Sequence, residues 1–169
     1  MPLDKESELF YHVDHNDNVL GQITRKKAHT NKELIHRSVV IILTTPQGQM
    51  LFQQRSLTKD THPGYWTLAS TGHVSFGENS NDAAVRELQE ELGIKADIKF
   101  LDKVLLNLEN ETEIARVYIG TYNGESIKID QTEVQTTKLV DVSDLESFVK
   151  NNQLSPDALI ILKATSFLK

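Results

Sequence analysis

Residues 72–94 read GHVSFGENSNDAAVRELQEELGI and contain the strongest structural signal in the chain. The second half of this stretch, Ser80–Leu92, predicts a helix, because Asn79 can cap the first turn and Gly93 can end the last turn in the left-handed conformation. At about 100° per residue, the apolar side chains of this helix share one sector, which we expect to face the core. They are Ala84, Val85, Leu88 and Leu92.

The neighbouring sector of the same helix carries three carboxylates. Glu87 lies three residues before Glu90 and four before Glu91, and like charges at these spacings destabilise a helix. A solvated acidic face is the simplest interpretation of any one of them. Three together also form the hard oxygen site that Mg²⁺ or Mn²⁺ prefers, and a cation would convert the repulsion into ligation. Arg86 lies beside them and can pair with Glu78 or Glu90.

The spacing of the fixed residues resembles the Nudix box. Gly72 is followed after five residues by Glu78, and after seven more by the run 86–94, which reads RELQEELGI. The resemblance implies an α+β fold, an α/β/α sandwich in which a mixed central sheet lies between helices. It also implies hydrolysis of a diphosphate that is linked to another moiety.

The same resemblance implies roles for individual residues. Glu87, Glu90 and Glu91 would be the catalytic metal ligands for Mg²⁺ or Mn²⁺, and either Glu90 or Glu87 would be the general base. Thr71 could add its carbonyl oxygen to the metal site. The residues with structural roles in the motif would be Gly72, Glu78, Arg86 and Gly93.

The composition restricts the class of protein. The 169 residues suit a single domain, residues 1–169. A net charge of −6 argues against a nucleic-acid partner, whereas a bound metal could still attract a small anionic substrate. Without cysteine there is no disulfide, no thiolate nucleophile and no cysteine-ligated zinc. No apolar run approaches the about 18 residues of a membrane span. We therefore expect a cytoplasmic protein with no membrane partner.

The rest of the chain mixes strands and helices without regular alternation, which favours an α+β sandwich over a doubly wound sheet. Alternating or β-branched runs predict strands at 9–13, 19–23, 38–44, 50–55, 96–106, 113–122 and 137–142. The turn at 46–48 predicts that strand 50–55 pairs with strand 38–44. Further helices are predicted at 143–151 and 156–168.

A second group of residues has the composition of a mixed nitrogen and oxygen metal site. Its members are His29, His36, His73, Glu111 and Glu113. Each one alone is more often an ordinary surface or core residue. In an extended segment the two glutamates share a face, so the set could converge on one divalent ion.

These residues also resemble those of the type I isopentenyl-diphosphate isomerases. The match runs from about Val13 to Tyr122 and includes AH at 28–29, IH at 35–36, QRSLTK at 54–59, PGYWT at 63–67, GH at 72–73 and ETE at 111–113. The resemblance implies that the three histidines and two glutamates bind a second divalent metal, for which Mg²⁺, Mn²⁺ and Zn²⁺ remain open. A register with Glu109 and Glu111 fits almost as well. It also implies that Arg55 and Lys59 bind the diphosphate.

Three departures argue against isomerase chemistry. Thr71 stands where that family has its catalytic cysteine, and a hydroxyl is too weakly acidic to replace a thiol in a proton relay. Glu87 stands where that family typically has a basic residue. The only tryptophan is Trp66, so no late-chain tryptophan can shield a cation. We therefore favour a hydrolase of a small diphosphate, with an isomerase and a catalytically silent binding module as alternatives. Many proteins of this fold class pair, so we also consider a homodimer.

Overall fold

The computed structural model describes residues 5–169, which form one mixed sheet and four α-helices. The strands are β1 Leu9–Val13, β2 Val19–Thr24, β3 Ile35–Thr44, β4 Gln49–Arg55, β5 Trp66–Leu68, β6 Ser70–His73, β7 Ile98–Asn107, β8 Thr112–Thr121 and β9 Val134–Asp141. The α-helices are α1 Arg25–Ala28, α2 Ser80–Leu92, α3 Leu145–Asn151 and α4 Pro156–Ala164, with a 3₁₀ turn at Val142–Asp144.

Strand β3 is the centre of the sheet. It pairs antiparallel with β1 and β6 and parallel with β8, and β8 pairs in turn with β7. Strand β4 leaves β3 after a single pair, Thr44 with Met50, and then pairs with β5 and β9. The sheet therefore divides into two parts that meet at the turn between β3 and β4.

Alternating side chains of β3 belong to two hydrophobic clusters on opposite faces of the sheet. Val39, Ile41 and Leu43 pack in the cluster that contains the buried face of α2. Val40 and Ile42 pack in the cluster that contains α3 and α4. Helices thus cover both faces, and the predicted α/β/α sandwich with a mixed sheet is confirmed.

Helix α2 has the bounds and caps that its sequence predicts. The Asn79 side chain accepts a bond from the Asn81 backbone at its start, and Gly93 ends it with a φ of 65°. The predicted core residues Ala84, Leu88 and Leu92 are buried. The prediction for Val85 is wrong, because this side chain is 38% exposed and Ala83 is buried instead. The sheet lies against the side of the helix that also carries Glu87 and Glu91, so Val85 is turned away from it.

The strand that follows the turn at 46–48 has different partners from those predicted. A turn signal shows where the chain reverses, but it does not show which distant strands supply the hydrogen bonds. Here β4 pairs over its whole length with β9, from Gln49 opposite Asp141 to Arg55 opposite Val134. The predicted hairpin partner, β3, uses its hydrogen bonds for β8 and β6 instead.

Helix α4 is shorter than predicted. It ends at Ala164, and Ser166 has a φ of 63°. The chain then turns back, so that the Phe167 and Leu168 backbone N–H groups both donate to the Leu162 carbonyl. Leu168 is buried although it lies beyond the helix, which explains why the apolar pattern predicted a longer one. Within residues 5–169, no helix has the length and apolar character needed to span a membrane.

Candidate active site

Both predicted clusters reach one cavity of about 500 Å³. Its walls come from β3, β6, α2, the start of β8, the loop after β4 and the first turn of α4. Members of the clusters that line it are Glu87, Glu90, Glu91, His29, His73, Glu111 and Glu113. His36, the remaining member, is fully buried. The second cluster, which we call the histidine group, consists of His29, His36, His73, Glu111 and Glu113. It therefore faces the same space as the carboxylates of α2.

Glu87 lies against Gly72 of β6. A Cβ atom at position 72 would overlap the Glu87 carboxyl group, so the strand and the helix can approach this closely only because residue 72 has no side chain. Burial and the neighbouring charge of Glu91 raise the pKa of Glu87, and the guanidinium of Arg86 opposes them. A cation in the cavity would favour the charged carboxylate.

Glu91 is buried and receives three hydrogen bonds on one oxygen. Its Oε2 accepts from Gln53 Nε2 at 2.6 Å, from Ser70 Oγ at 2.7 Å and from the Thr71 backbone N–H at 3.3 Å. Burial raises the pKa of Glu91 to about 7, although the bonds from Ser70 and Gln53 lower it. Because all three donors use Oε2, Oε1 is left for a cation. Gln53 and Ser70 carry no sequence signal, since only the folded sheet brings them to the helix.

Arg86 joins the loop before α2 to the carboxylates on it. It donates to both oxygens of Glu78, at 2.8 and 3.0 Å, and to the His73 carbonyl at 3.2 Å. It also donates to Glu87 at 2.7 Å and to Glu90 at 3.3 Å. A bidentate pair of this kind fixes both partners in orientation. Glu90 is the most exposed carboxylate of the three, with 41% of its side chain accessible.

The histidine group is compact. His29 Nε2 lies 3.1 Å from His73 Nε2 and 3.1 Å from Glu111 Oε2, and His36 Nε2 lies 3.4 Å from the same oxygen. One ligand atom from each of these four residues lies within 4.8 Å of the others. Glu113 lies at the border of the group, with an oxygen 3.7 Å from His36 Nε2. Glu109 is exposed and outside the group, so the structure brings Glu111 rather than Glu109 to the histidines.

The donor set of this group fits a divalent cation. Among the described residues, the buried atoms His36 Nε2 and Glu111 Oε2 have no hydrogen bond of acceptable geometry, although they lie close together. Burial lowers the pKa of His36 to about 3 and lowers that of His73 well below its usual value, so both imidazoles are neutral near pH 7. Neutral imidazoles and carboxylates are ligands for Mn²⁺ and Zn²⁺.

The aromatic ring of Phe10 packs against the histidine group. The Phe10 ring stacks on His73 and on His36, with centroid distances of 4.6 and 5.3 Å. Burial raises the pKa of Glu111 and, together with the Glu111 charge, that of Glu113. A positive ion beside Glu111 and Glu113 would stabilise the charged form of both carboxylates. Phe10 was not predicted, because an apolar strand residue gives no sign of what it packs against.

Cationic side chains line the same cavity. Arg55 donates to the Thr61 carbonyl at 2.9 Å, and Lys59 pairs with Glu133 at 2.7 Å. Arg25 reaches the cavity from α1, and its guanidinium lies 3.3 Å from His73 Nδ1. Arg25 and Glu133 are additions to the predicted set. Their sequence neighbourhoods resemble ordinary charged surface segments, so only the fold reveals them.

Gly93 and Glu78 support the site without lining the cavity. Gly93 lies at the far end of α2, where an added Cβ would meet Lys128. Thr71 lines the cavity on β6 and donates its backbone N–H to Glu91.

Comparison with known proteins gives a consistent family. The family model described as NUDIX domain matches residues 34–161. An isopentenyl-diphosphate delta-isomerase of Serratia proteamaculans is 32% identical over 123 residues, which are 70% of this chain and 68% of that protein. A second such isomerase, from Photorhabdus laumondii, is 31% identical over 91% of this chain and 87% of its own length.

An uncharacterized Nudix hydrolase of Pseudomonas aeruginosa is 42% identical over 90 residues, and the match spans 53% of each protein. The crystal structure of DR0079 from Deinococcus radiodurans superposes with a TM-score of 0.81 and 21% identity, over 94% of this chain and 99% of that one. At this identity the superposition is evidence of a shared fold alone.

Proposed function

This chain belongs to the Nudix family, and we propose on that premise that it is a metal-dependent hydrolase that cleaves the diphosphate linkage of a small organic substrate. The observation that carries the proposal is the shared cavity, in which the carboxylates of α2 lie beside Arg55 and Lys59. A diphosphate needs cations on its oxygens and an activated water in line with phosphorus, and this set of side chains can supply both.

The carboxylates Glu87, Glu90 and Glu91 would hold Mg²⁺ or Mn²⁺. The metal, when bound, neutralises phosphate charge and lowers the pKa of a water. The close approach of Gly72 and the hydrogen bond from Arg86 position the Glu87 carboxylate, which supports its proposed role as a ligand. Gln53 and Ser70 hold Glu91 in the same way.

The second divalent ion, Mn²⁺ or Zn²⁺, would occupy the histidine group. Its proposed ligands are His29, His36, His73, Glu111 and Glu113. The buried atoms without hydrogen-bond partners in that group support this assignment.

The protein's own side chains account for the remaining tasks. Arg25, Arg55 and Lys59 would hold the phosphate oxygens, with Lys59 exchanging its Glu133 partner for phosphate. Glu90 would accept the proton of the attacking water, because its carboxylate is the most exposed of the three and its bond to Arg86 is the longest. Glu87 is the alternative base, and the pH dependence of kcat in Glu87→Gln and Glu90→Gln separates the two.

The isomerase alternative has one observation in its favour, which is that several related proteins carry that name. It would require a second proton-transfer group in the cavity. Thr71 occupies that position, and its hydroxyl is too weakly acidic for the task. Isopentenyl diphosphate in D₂O tests the alternative, because an isomerase would place deuterium in the prenyl group without releasing phosphate.

The proposed function is tested by the release of phosphate products. The protein is incubated with Mg²⁺ or Mn²⁺ and with nucleoside diphosphates, nucleotide sugars and prenyl diphosphates, and free phosphate and phosphate monoesters are measured by phosphorus NMR with and without chelator. We expect metal-dependent release from at least one compound, and a loss of about 100-fold or more in Glu91→Gln. Normal release by that variant would contradict the metal assignment. Metal binding without release from any compound would favour a binding module.

A further inference from the structure

The hydroxyl of Ser155 lacks a partner in a place where a partner is expected. Ser155 is 2% exposed, and its Oγ forms no hydrogen bond within the described part of the chain. It precedes α4 at the N-cap, where a serine oxygen usually accepts from a backbone N–H of the first turn. No such bond forms here. A buried hydroxyl without a partner is costly, which points to a group from outside the chain.

Backbone hydrogen bonds hold Ser155 on the cavity wall. Its backbone N–H donates to the Trp66 carbonyl at 2.9 Å, and the Trp66 N–H donates to the Gln153 carbonyl at 2.8 Å. The segment before α4 is therefore tied to β5. Ser155 lines the same cavity as the catalytic carboxylates.

Asp157, in the first turn of α4, lines the cavity beside Ser155. It is half-buried, and among residues 5–169 no lysine, arginine or histidine nitrogen lies within salt-bridge distance of it. The Asp157 carboxylate therefore disfavours a phosphate on this wall and can accept hydrogen bonds from a neutral group.

The remaining lining limits the chemistry of that group. Val39, Val40 and Leu108 are the aliphatic residues that line the cavity, and within the described residues the imidazoles of His29, His62 and His73 are its aromatic rings. A prenyl chain would therefore meet mostly charged and polar groups.

We propose that Ser155 and Asp157 form a hydroxyl-binding subsite, so that the group attached to the diphosphate is a polyhydroxylated, sugar-like one. The Asp157 carboxylate accepts hydrogen bonds from the hydroxyls of the sugar-like group. The Ser155 hydroxyl forms a further hydrogen bond with one of the same hydroxyls. The diphosphate lies towards α2, Arg55 and Lys59. This subsite rests on the proposed function, because that function places the diphosphate in the cavity.

The test compares kcat/KM for a hexose 1-diphosphate with kcat/KM for methyl diphosphate, which has no hydroxyl on its organic group. We expect the wild-type ratio to favour the hexose compound, and Ser155→Ala and Asp157→Asn each to lower this ratio by about tenfold or more. Asp144→Asn is the matched control, since this aspartate is exposed at the start of α3 and away from the cavity, and it should leave the ratio unchanged.

Thermal unfolding separates a binding role from a structural one. Ser155→Ala should keep or raise Tm, because its hydroxyl has no partner in the described chain. A clear fall in Tm, or an equal loss of turnover on both substrates, would overturn the subsite. Unchanged ratios in both variants would also overturn it and would indicate that water alone satisfies the hydroxyl.

The outcome for the subsite can be told apart from the outcome for the hydrolase. If the wild-type protein hydrolyses methyl diphosphate but does not prefer the hexose compound, the subsite fails and the hydrolase stands. If it hydrolyses neither, calorimetry with Mg²⁺ and each diphosphate decides. Tighter binding of the hexose compound that is lost in Asp157→Asn keeps the subsite without the hydrolase, whereas equal or no binding overturns it.

Discussion

At the scale of single residues, the site depends on side chains that hold the carboxylates in place. Glu91 is buried, and it can serve a cation only if its second oxygen is fixed by donors. Gln53 and Ser70 provide those donors. Both are polar residues on strands, a pattern that gives no indication of function, whereas the box spacing directly predicts a role for Glu91 as a metal ligand.

Removal of the Gln53 donor should weaken metal binding more than it weakens the fold. In Gln53→Met the apparent affinity for Mg²⁺ or Mn²⁺ should fall by about 10- to 100-fold, because Glu91 loses its shortest hydrogen bond. A metal titration of activity or of heat measures this. Gln49→Met is the control, since Gln49 is on the same strand and does not line the cavity. Equal affinities in wild type and Gln53→Met would contradict the assigned role.

The metal-free protein should be most stable at mildly acidic pH. The pKa values of Glu91 and Glu87 are raised from 4.5 to about 7 and about 8, so their contribution is complete below pH 4.5 and is lost as pH rises through 7 and 8. The pKa of His36 is lowered from 6.5 to about 3, so its contribution is complete above pH 6.5 and is lost as pH falls. These opposing slopes overlap between pH 4.5 and 6.5.

Thermal unfolding in chelator at a series of pH values measures this profile. We expect Tm to fall by several degrees between about pH 5 and pH 8, and Mn²⁺ to abolish that fall because metal binds the deprotonated ligands. A metal-free Tm that rises steadily to pH 9 would argue against the buried carboxylates as described.

At the scale of elements, α2 could be predicted with its bounds because its caps and its apolar period are local signals. The strands β5 and β6 could not, since each has four residues or fewer and exists only through its pairing with β4 or β3. The wrong partner for β4 also comes from long-range pairing, because a local turn signal does not show which distant strand supplies the hydrogen bonds. The short strand β6 nonetheless supplies Gly72, on which the packing of Glu87 depends.

The contact between β6 and α2 predicts the effect of a single methyl group. In Gly72→Ala the new Cβ would displace the Glu87 side chain, whose end is flexible enough for the fold to survive. We expect turnover to fall by about 100-fold while the unfolding transition stays cooperative. If the change acts through Glu87, the double variant with Glu87→Gln should be little worse than either single variant. Additive losses would show that Gly72 acts by another route.

At the scale of the whole molecule, the sheet brings together groups that are far apart in sequence. The histidine group joins His29 after α1, His36 on β3, His73 on β6 and Glu111 before β8. From sequence, their convergence could be expected only through the family resemblance. The parallel pairing of β3 with β8, which sets His36 opposite Glu113, is the physical reason for it.

The histidine group should bind its own equivalent of metal. Protein purified with Mn²⁺ or Zn²⁺ present should lose about one equivalent in His29→Ala and in the double variant with His36→Ala. His15→Ala is the control, since His15 is exposed and outside the group. Elemental analysis gives the count. Equal metal content in all variants would contradict the assignment of a metal site to the histidine group.

Hydrolysis in ¹⁸O-labelled water, followed by phosphorus NMR, tests whether the protein directs water to a phosphorus atom of its substrate. With Mg²⁺ or Mn²⁺ and a diphosphate substrate that the phosphate screen identifies, or isopentenyl diphosphate if it identifies none, we predict that a phosphate product carries one ¹⁸O atom from the solvent. Its formation should stop in Glu91→Gln. An unlabelled diphosphate that remains intact while its prenyl double bond moves would contradict the account and would make the protein an isomerase.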